Sequence, residues 1–279
     1  MDLVVGATGI LGKEIVLALR GKGRAVRALV RESSAPEKVQ ALEAAGAEIA
    51  TGDLKHPQSL MAACEGVDSV ITTASSTLSR GDGDTIASVD HEGHIALLDA
   101  VEQNKVEHLV YVSFPTVRPD NPLQDAKRAV ETGIRERGIK HTILHPTIFW
   151  EVWCSPALGF DAAAGKARIF GEGEGKVSWI SMFDVRDAVV ASLDNPAVVN
   201  KTLLLGGPEV LTQNEIVRRF EAASGKTFER EVLPLAALEE QYAGAPDPLS
   251  KSFAALMINC AKGGWEFDMV EERRALGIE

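Results

Sequence analysis

Cysteine is scarce in this chain: Cys64, Cys154 and Cys260 are the three in 279 residues. They are far apart and odd in number, which excludes a disulfide framework and a CxxC metal or redox pair and fits a reducing, cytoplasmic setting. Positive charge is also short. Lys and Arg number 29 against 40 Asp and Glu, a net charge of −11, so phosphate backbones and anionic lipid are repelled and neither nucleic acid nor a membrane surface is the expected partner; a local basic pocket stays open. No charge-free apolar run approaches bilayer-spanning length, and Met-Asp-Leu-Val-Val at the start carries no basic and apolar export pattern. No period of roughly 20–50 residues repeats. Tyrosine occurs only twice, which bears on catalysis below.

What is present is ordinary for a globular protein, 45% hydrophobic and 25% charged residues, on a length that suits one large α/β domain, alone or with a smaller appendage. Strand-length apolar runs alternate with amphipathic stretches from the outset. Strands are expected at Leu3–Val5, Val26–Val30, around Ile49, Ser69–Thr73, His108–Ser113 and His141–Leu144. Between them, helical spacing runs through Leu11, Ile15 and Leu19, after Pro36 and Pro57, along Ile86 to Ala100, and through Ala126, Val130 and Ile134. Six strands in a βα series predict a Rossmann-type doubly wound parallel sheet over residues 1–148, with 176–205 returning to its far edge through Val177–Met182, a helix from Asp184 and Thr202–Leu205. Residues 149–175 and 206–279 are expected to form a substrate-side insertion and cap, with a capping box at Thr212 and Glu215.

The chemistry is concentrated in Gly6-Ala7-Thr8-Gly9-Ile10-Leu11-Gly12, a GxxGxxG turn between the first strand and the first helix. Missing side chains let the backbone approach a pyrophosphate, and the helix N-terminus supplies free N–H groups and a positive dipole end. Gly6, Thr8, Gly9, Ile10, Leu11 and Gly12 are therefore the candidate phosphate contacts. At the end of the second strand stand Arg31, Glu32, Ser33 and Ser34. Arg31 and Ser33 suit a 2′-phosphate, whereas Glu32 suits a free 2′-hydroxyl, so NADP(H) is preferred with NAD(H) as the alternative.

These stretches, with Gly52-Asp53-Leu54, Tyr111-Val112-Ser113, Lys127, Leu144-His145-Pro146-Thr147 and Gly206-Gly207-Pro208, resemble the atypical short-chain dehydrogenase/reductases of the NmrA-like group, which includes triphenylmethane reductase, a bacterial quinone oxidoreductase and, further off, the isoflavone-reductase-like enzymes. The resemblance covers most of the chain and specifies fold and cofactor better than substrate. It implies that Asp53 and Leu54 approach adenine, that Thr73 and Ala74 line the ribose side, and that Pro146, Thr147 and Phe149 border the nicotinamide. It also implies that Lys127 binds the nicotinamide ribose and assists proton transfer. Ordinary short-chain dehydrogenases place a tyrosine four residues before that lysine, and Leu123 stands there instead.

Ser113, ending the fifth strand, is a candidate donor to a substrate carbonyl, and Phe114, Trp150 and Trp153 are candidates for an aromatic substrate wall. His145 reads as a satisfied, partly buried histidine. His91 and His94 lack the spacing of a zinc-protease motif, and Gly171 to Lys176 is too short and acidic for a P-loop, so no metal is expected. The expected function is hydride transfer to a small aromatic or conjugated acceptor such as a quinone, enone, carbonyl or cationic carbon, by a monomer or homodimer. The alternative is a non-enzymatic NADP(H)-binding redox sensor that regulates a partner protein.

Overall fold

Asp2–Val5 forms β1 with all four residues buried, and Ile10–Gly21 forms α1, whose Leu11, Ile15, Val16 and Leu19 share the buried face, as an amphipathic helix over a sheet requires. The computed structural model describes residues 1–78, 80–267 and 269–278, so Ser79 of the expected core and Asp268 and Glu279 of the expected cap lie outside it. The series continues with β2 (Val26–Val30), α2 (Pro36–Ala44), β3 (Glu48–Thr51), α3 (Pro57–Cys64), β4 (Ser69–Thr72), α4 (His94–Gln103), β5 (His108–Val112), α5 (Pro122–Glu136) and β6 (His141–Pro146). Pro36, Pro57 and Pro122 each sit in the first turn of their helix, where a missing N–H costs nothing. Beyond β6 come α6 (Trp150–Trp153), β7 (Phe160–Asp161), β8 (Lys166–Phe170), β9 (Val177–Ser178), α7 (Met182–Leu193), β10 (Lys201–Leu205), β11 (Val210–Leu211), α8 (Gln213–Ser224), β12 (Glu229–Leu233), α9 (Leu235–Ala243), α10 (Pro248–Lys262) and α11 (Val270–Leu276).

The main sheet has seven strands in the order β10-β6-β5-β4-β1-β2-β3, and every pairing in it is parallel. The chain builds outward from β1 to β3 and then crosses to β4 on the other side of β1. That reversal puts the ligand crevice of a doubly wound sheet outside the carboxyl ends of β1 and β4. One core, with Ile15, Leu19, Leu144 and Val189, packs on one face of the sheet, and a second, with Leu60, Leu97, Leu109 and Ile134, packs on the other. A third, around Phe160, Ile169, Phe170, Trp179, Ile216 and Ile258, holds the segments beyond β6 together.

Three expectations are corrected. Of the segment expected at the sheet's far edge, only Lys201–Leu205 is there, since Val177–Ser178 pairs antiparallel with Val210–Leu211 in a separate ribbon. Apolar alternation in Val177–Met182 identified extended chain but not its partner. The helix expected along Ile86 to Ala100 begins as a π-helix, Ile86–Gly93, before continuing as α4, which turns Asp90 and His94 inward together. The strand expected to stop at Leu144 runs on to Pro146, which pairs with Leu205; a proline is tolerated at a strand terminus. The Thr212–Glu215 capping box has both of its reciprocal bonds.

Candidate functional site

Gly6 leaves β1 with φ +86°, and a Cβ there would stand 2.9 Å from the Ala74 nitrogen and from Thr73 Oγ1. The ends of β1 and β4 thus touch at the crevice. A Cβ on Gly12 would lie 2.1 Å from the Gly6 carbonyl oxygen, so this glycine lets α1 press against the turn. Gly12 does not line the cavity above it, and its expected cofactor contact is corrected to a packing role. Gly9 caps α1 with no side-chain bond, and the first turn holds no acidic residue. Gly6, Thr8, Gly9, Ile10 and Leu11 line the cavity, presenting open helix N–H groups and the positive end of the helix dipole without a competing carboxylate. This cradle, which side chains would fill, fits a dinucleotide pyrophosphate.

The cavity has a volume of about 430 Å³ and runs from the glycine turn in both directions. At one end it is bordered by Arg31, Lys38, Asp53, Leu54, Thr73, Ala74 and Asp84. Arg31 Nη1 donates to Asp84 Oδ2 at 2.5 Å. Asp53 Oδ1 accepts from the Lys55 backbone N–H at 2.9 Å. Ser33 is exposed and outside the lining, while the Oγ of Ser34 turns back to accept from the Arg31 N–H at 3.0 Å. Glu32 is exposed and outside the lining too. Lys38, in the first turn of α2, was missed in the sequence because nothing there says which way that turn faces.

Lys127 lies near the middle of the cavity wall. Asn121 caps α5, its side chain accepting from the Gln124 N–H at 3.1 Å, and the helix buries Leu123, Lys127, Val130, Glu131 and Ile134 at the i, i+4 spacing of one face. The Lys127 ammonium donates to the Val112 carbonyl at 3.3 Å and lies 5.1 Å from the Tyr111 ring centroid. Burial pushes its pKa down, while the nearby Asp90 and Glu131 charges oppose the shift. A buried ammonium held in this way is a more willing proton donor than a surface lysine. Leu123, in the slot of the ordinary dehydrogenase tyrosine, also lines the cavity. Tyr111 does not replace it, because burial raises its hydroxyl pKa well above 10.0 and the group is outside the lining.

Behind Lys127 stands a polar layer that the sequence did not reveal. Asp90 is fully buried, and its Oδ2 accepts from Ser76 N–H at 3.1 Å and Ser76 Oγ at 2.6 Å. His94 Nδ1 donates to the Val89 carbonyl at 2.8 Å, which leaves Nε2 to accept from Thr72 Oγ1 at 3.0 Å. Burial and then the Lys127 charge lower its pKa to about 4, so it is neutral. His91, by contrast, is exposed, so the two histidines do not converge. Among the described residues no group of three or more His, Cys, Asp and Glu is placed to hold a metal.

Ser113 borders the cavity, but its hydroxyl proton goes to Glu131 Oε1 at 2.7 Å. Its expected donation to a substrate carbonyl is corrected, since a serine has one proton to give. Glu131 also accepts from His145 Nε2 at 2.8 Å and from Arg128 Nη1, and Arg128 Nη2 donates to the Phe114 carbonyl at 2.6 Å. His145 is thus a satisfied buried group. The network braces the Ser113-Phe114 segment that follows β5.

The far end of the cavity is apolar. Phe114 and Trp153 line it, joined by Leu123, Val152, Leu158, Phe253, Leu256, Met257 and Trp265. Trp150 does not border it; its half-buried ring packs 5.6 Å from Trp179, centroid to centroid. Pro146, Thr147, Ile148 and Phe149 border the cavity between its two ends. Thr147 Oγ1 donates to the Ser178 carbonyl, so its hydroxyl is already engaged. The α10 residues were missed because apolar spacing identifies a buried helix face without saying whether it covers a core or a cavity.

The sequence profile of the NmrA-like family matches residues 3–275. A photosystem II assembly factor of Trieres chinensis is 31% identical over 240 residues, covering 84% of this chain and 72% of that protein. An NAD(P)H azoreductase of Xenophilus azovorans is 29% identical over 253 residues, covering 90% and 83% respectively. Among solved structures, an NADPH-dependent quinone oxidoreductase from Escherichia coli, complexed with NADPH, superposes with a TM-score of 0.79 at 23% identity, over 100% of this chain and 95% of that one.

Proposed function

The chain belongs to the NmrA-like family, and from that premise we propose that it is an NADP(H)-dependent oxidoreductase acting on a small, neutral, conjugated acceptor. The observation that carries this reading is a single cavity that joins the glycine turn, Arg31, Lys127 and an aromatic wall. Gly6 to Leu11 would hold the pyrophosphate, Arg31 and Lys38 would hold a 2′-phosphate, and the Pro146–Phe149 backbone would border the nicotinamide, which when bound would supply the hydride. Lys127 holds a proton at Nζ beside the reacting face, where it stabilises the negative charge that develops on an acceptor oxygen and protonates it.

The choice of a neutral acceptor follows from charge. Among the described residues, the apolar half of the cavity is lined by no carboxylate, and Lys127 is its one ionisable cation. A cationic acceptor there gives up hydration with no carboxylate at the cavity surface to replace it and faces the Lys127 ammonium, whereas a quinone or enone keeps its polar oxygen for Lys127 and buries its ring against Phe114 and Trp153. A planar substrate of this kind needs positioning more than covalent help, which accounts for Leu123 in the tyrosine slot. The test is NADPH consumption against neutral quinones, enones and a cationic triarylmethane dye. Turnover of neutral acceptors in preference to the dye supports the proposal; tight NADPH binding with no turnover of any acceptor refutes it in favour of a redox sensor.

A further inference from the structure

The adenosine end of the cavity carries a counter-charge that a phosphate site does not require. Asp84 is two per cent exposed at its side chain, against 28% for Arg31 and 24% for Lys55. Its Oδ2 accepts from Arg31 Nη1 at 2.5 Å and from the Gly81 N–H at 2.6 Å, and its Oδ1 accepts from Lys55 Nζ at 2.5 Å. One buried carboxylate is therefore shared between two cations. Lys55 Nζ also donates to the Asp82 carbonyl at 2.9 Å and lies 3.9 Å from Asp53 Oδ2. Of the three basic residues gathered here, Arg31, Lys38 and Lys55, two are thus partly neutralised by a group that itself lines the cavity.

We infer that Asp84 is a cofactor-selectivity determinant, which masks Arg31 and Lys55 and so limits how strongly the site prefers a 2′-phosphate over a 2′-hydroxyl. The inference rests on the proposed dinucleotide site. A phosphate dianion placed at Arg31 is attracted by the two cations and repelled by Asp84, so the trio presents a net charge of one. Replacing the carboxylate with an amide removes a negative charge in direct contact with Arg31, which lines the cavity while Lys55 stands behind it, and keeps a polar group of the same size for Gly81. A 2′-hydroxyl carries no charge and gains nothing from that change; it loses an acceptor.

The experiment is calorimetric titration of the full chain and its Asp84→Asn variant with NADPH and NADH. Asp84→Asn is expected to tighten NADPH about tenfold at low salt, with a smaller gain at high salt, while NADH is unchanged or weaker. Asp84→Glu keeps the charge and is expected to retain the wild-type NADPH-to-NADH ratio. Asp84→Ser, which likewise removes the charge, provides the same readout where the Asn variant yields little folded protein. An unchanged ratio in the uncharged variants overturns the inference, and a fall in the ratio overturns it in favour of Asp84 as a residue that orients Arg31 for the phosphate. Wild-type protein that binds neither nucleotide overturns the dinucleotide site itself, an outcome distinct from either.

Discussion

Replacing Glu131 with Gln tests the brace beneath the site, and its magnitude follows from the geometry. Burial alone raises a carboxyl pKa, but bonds from His145 and Ser113 and the charge of Arg128 overcome that penalty and lower Glu131 from 4.5 to about 2. At roughly 1.4 kcal/mol per pH unit, this displacement corresponds to about 3 kcal/mol of folding stability. Because the folded-state pKa is depressed, the contribution is complete above the unfolded value near 4.5 and is lost as pH falls toward 2. Urea unfolding followed by circular dichroism, at intervals from pH 7 to pH 3, separates this group from the other carboxylates, which titrate in both proteins. At pH 7 Glu131→Gln is expected to be less stable by about 3 kcal/mol or more, since Arg128 and His145 lose a buried partner. That gap should close progressively below pH 5. Parallel stability curves across the whole range would refute the argument that Glu131 is ionised and tied down in the native state.

Two further substitutions probe the cofactor end. Gly9→Val is expected to fold, because a Cβ at Gly9 meets only the Gly6 carbonyl oxygen, at 3.1 Å, but its methyl groups occupy the phosphate cradle and NADPH binding measured by calorimetry should be lost. Arg31→Ala should weaken NADPH more than NADH by about 1.5–3 kcal/mol, the usual worth of a charge-assisted phosphate bond; equal weakening of both nucleotides would mean that Arg31 contacts only the adenine.

The parts of the fold governed by local rules were legible in the sequence. Glycine spacing between β1 and α1, prolines opening α2, α3 and α5, and the Thr212–Glu215 pair each act within a few residues, and each is where its chemistry places it. The resemblance to NmrA-like reductases, read from the same stretches, is matched by the family profile over residues 3–275. What the sequence withheld depends on direction or on distant partners. Ser33 and Lys38 are five residues apart, yet only Lys38 borders the cavity, because the chain turns between them. Trp150 and Trp153 stand three residues apart on one short helix and both pack against Trp179, yet only Trp153 also borders the cavity. Ser113 sits where expected and is claimed by Glu131, 18 residues away. Asp84 meets Arg31 across 53 residues, a pairing with no local signature, and the π-turn that buries Asp90 and His94 departs from the helical period that apolar spacing detects.

Lys127 acts on the acceptor as well as bordering the cofactor. The most direct measurement is the maximal rate of NADPH oxidation at saturating NADPH for wild type and Lys127→Met, with a neutral quinone and an enone as acceptors. Methionine keeps a flexible apolar stem of similar length in the buried slot and removes the charge and the proton. The enone rate should fall by about 10²–10⁴, the usual contribution of a positioned acid, and the quinone rate by less. A Lys127→Met protein whose maximal rates match wild type with both acceptors, and whose only change is a weaker apparent affinity for NADPH, would contradict the claim and leave Lys127 as a cofactor-binding residue alone.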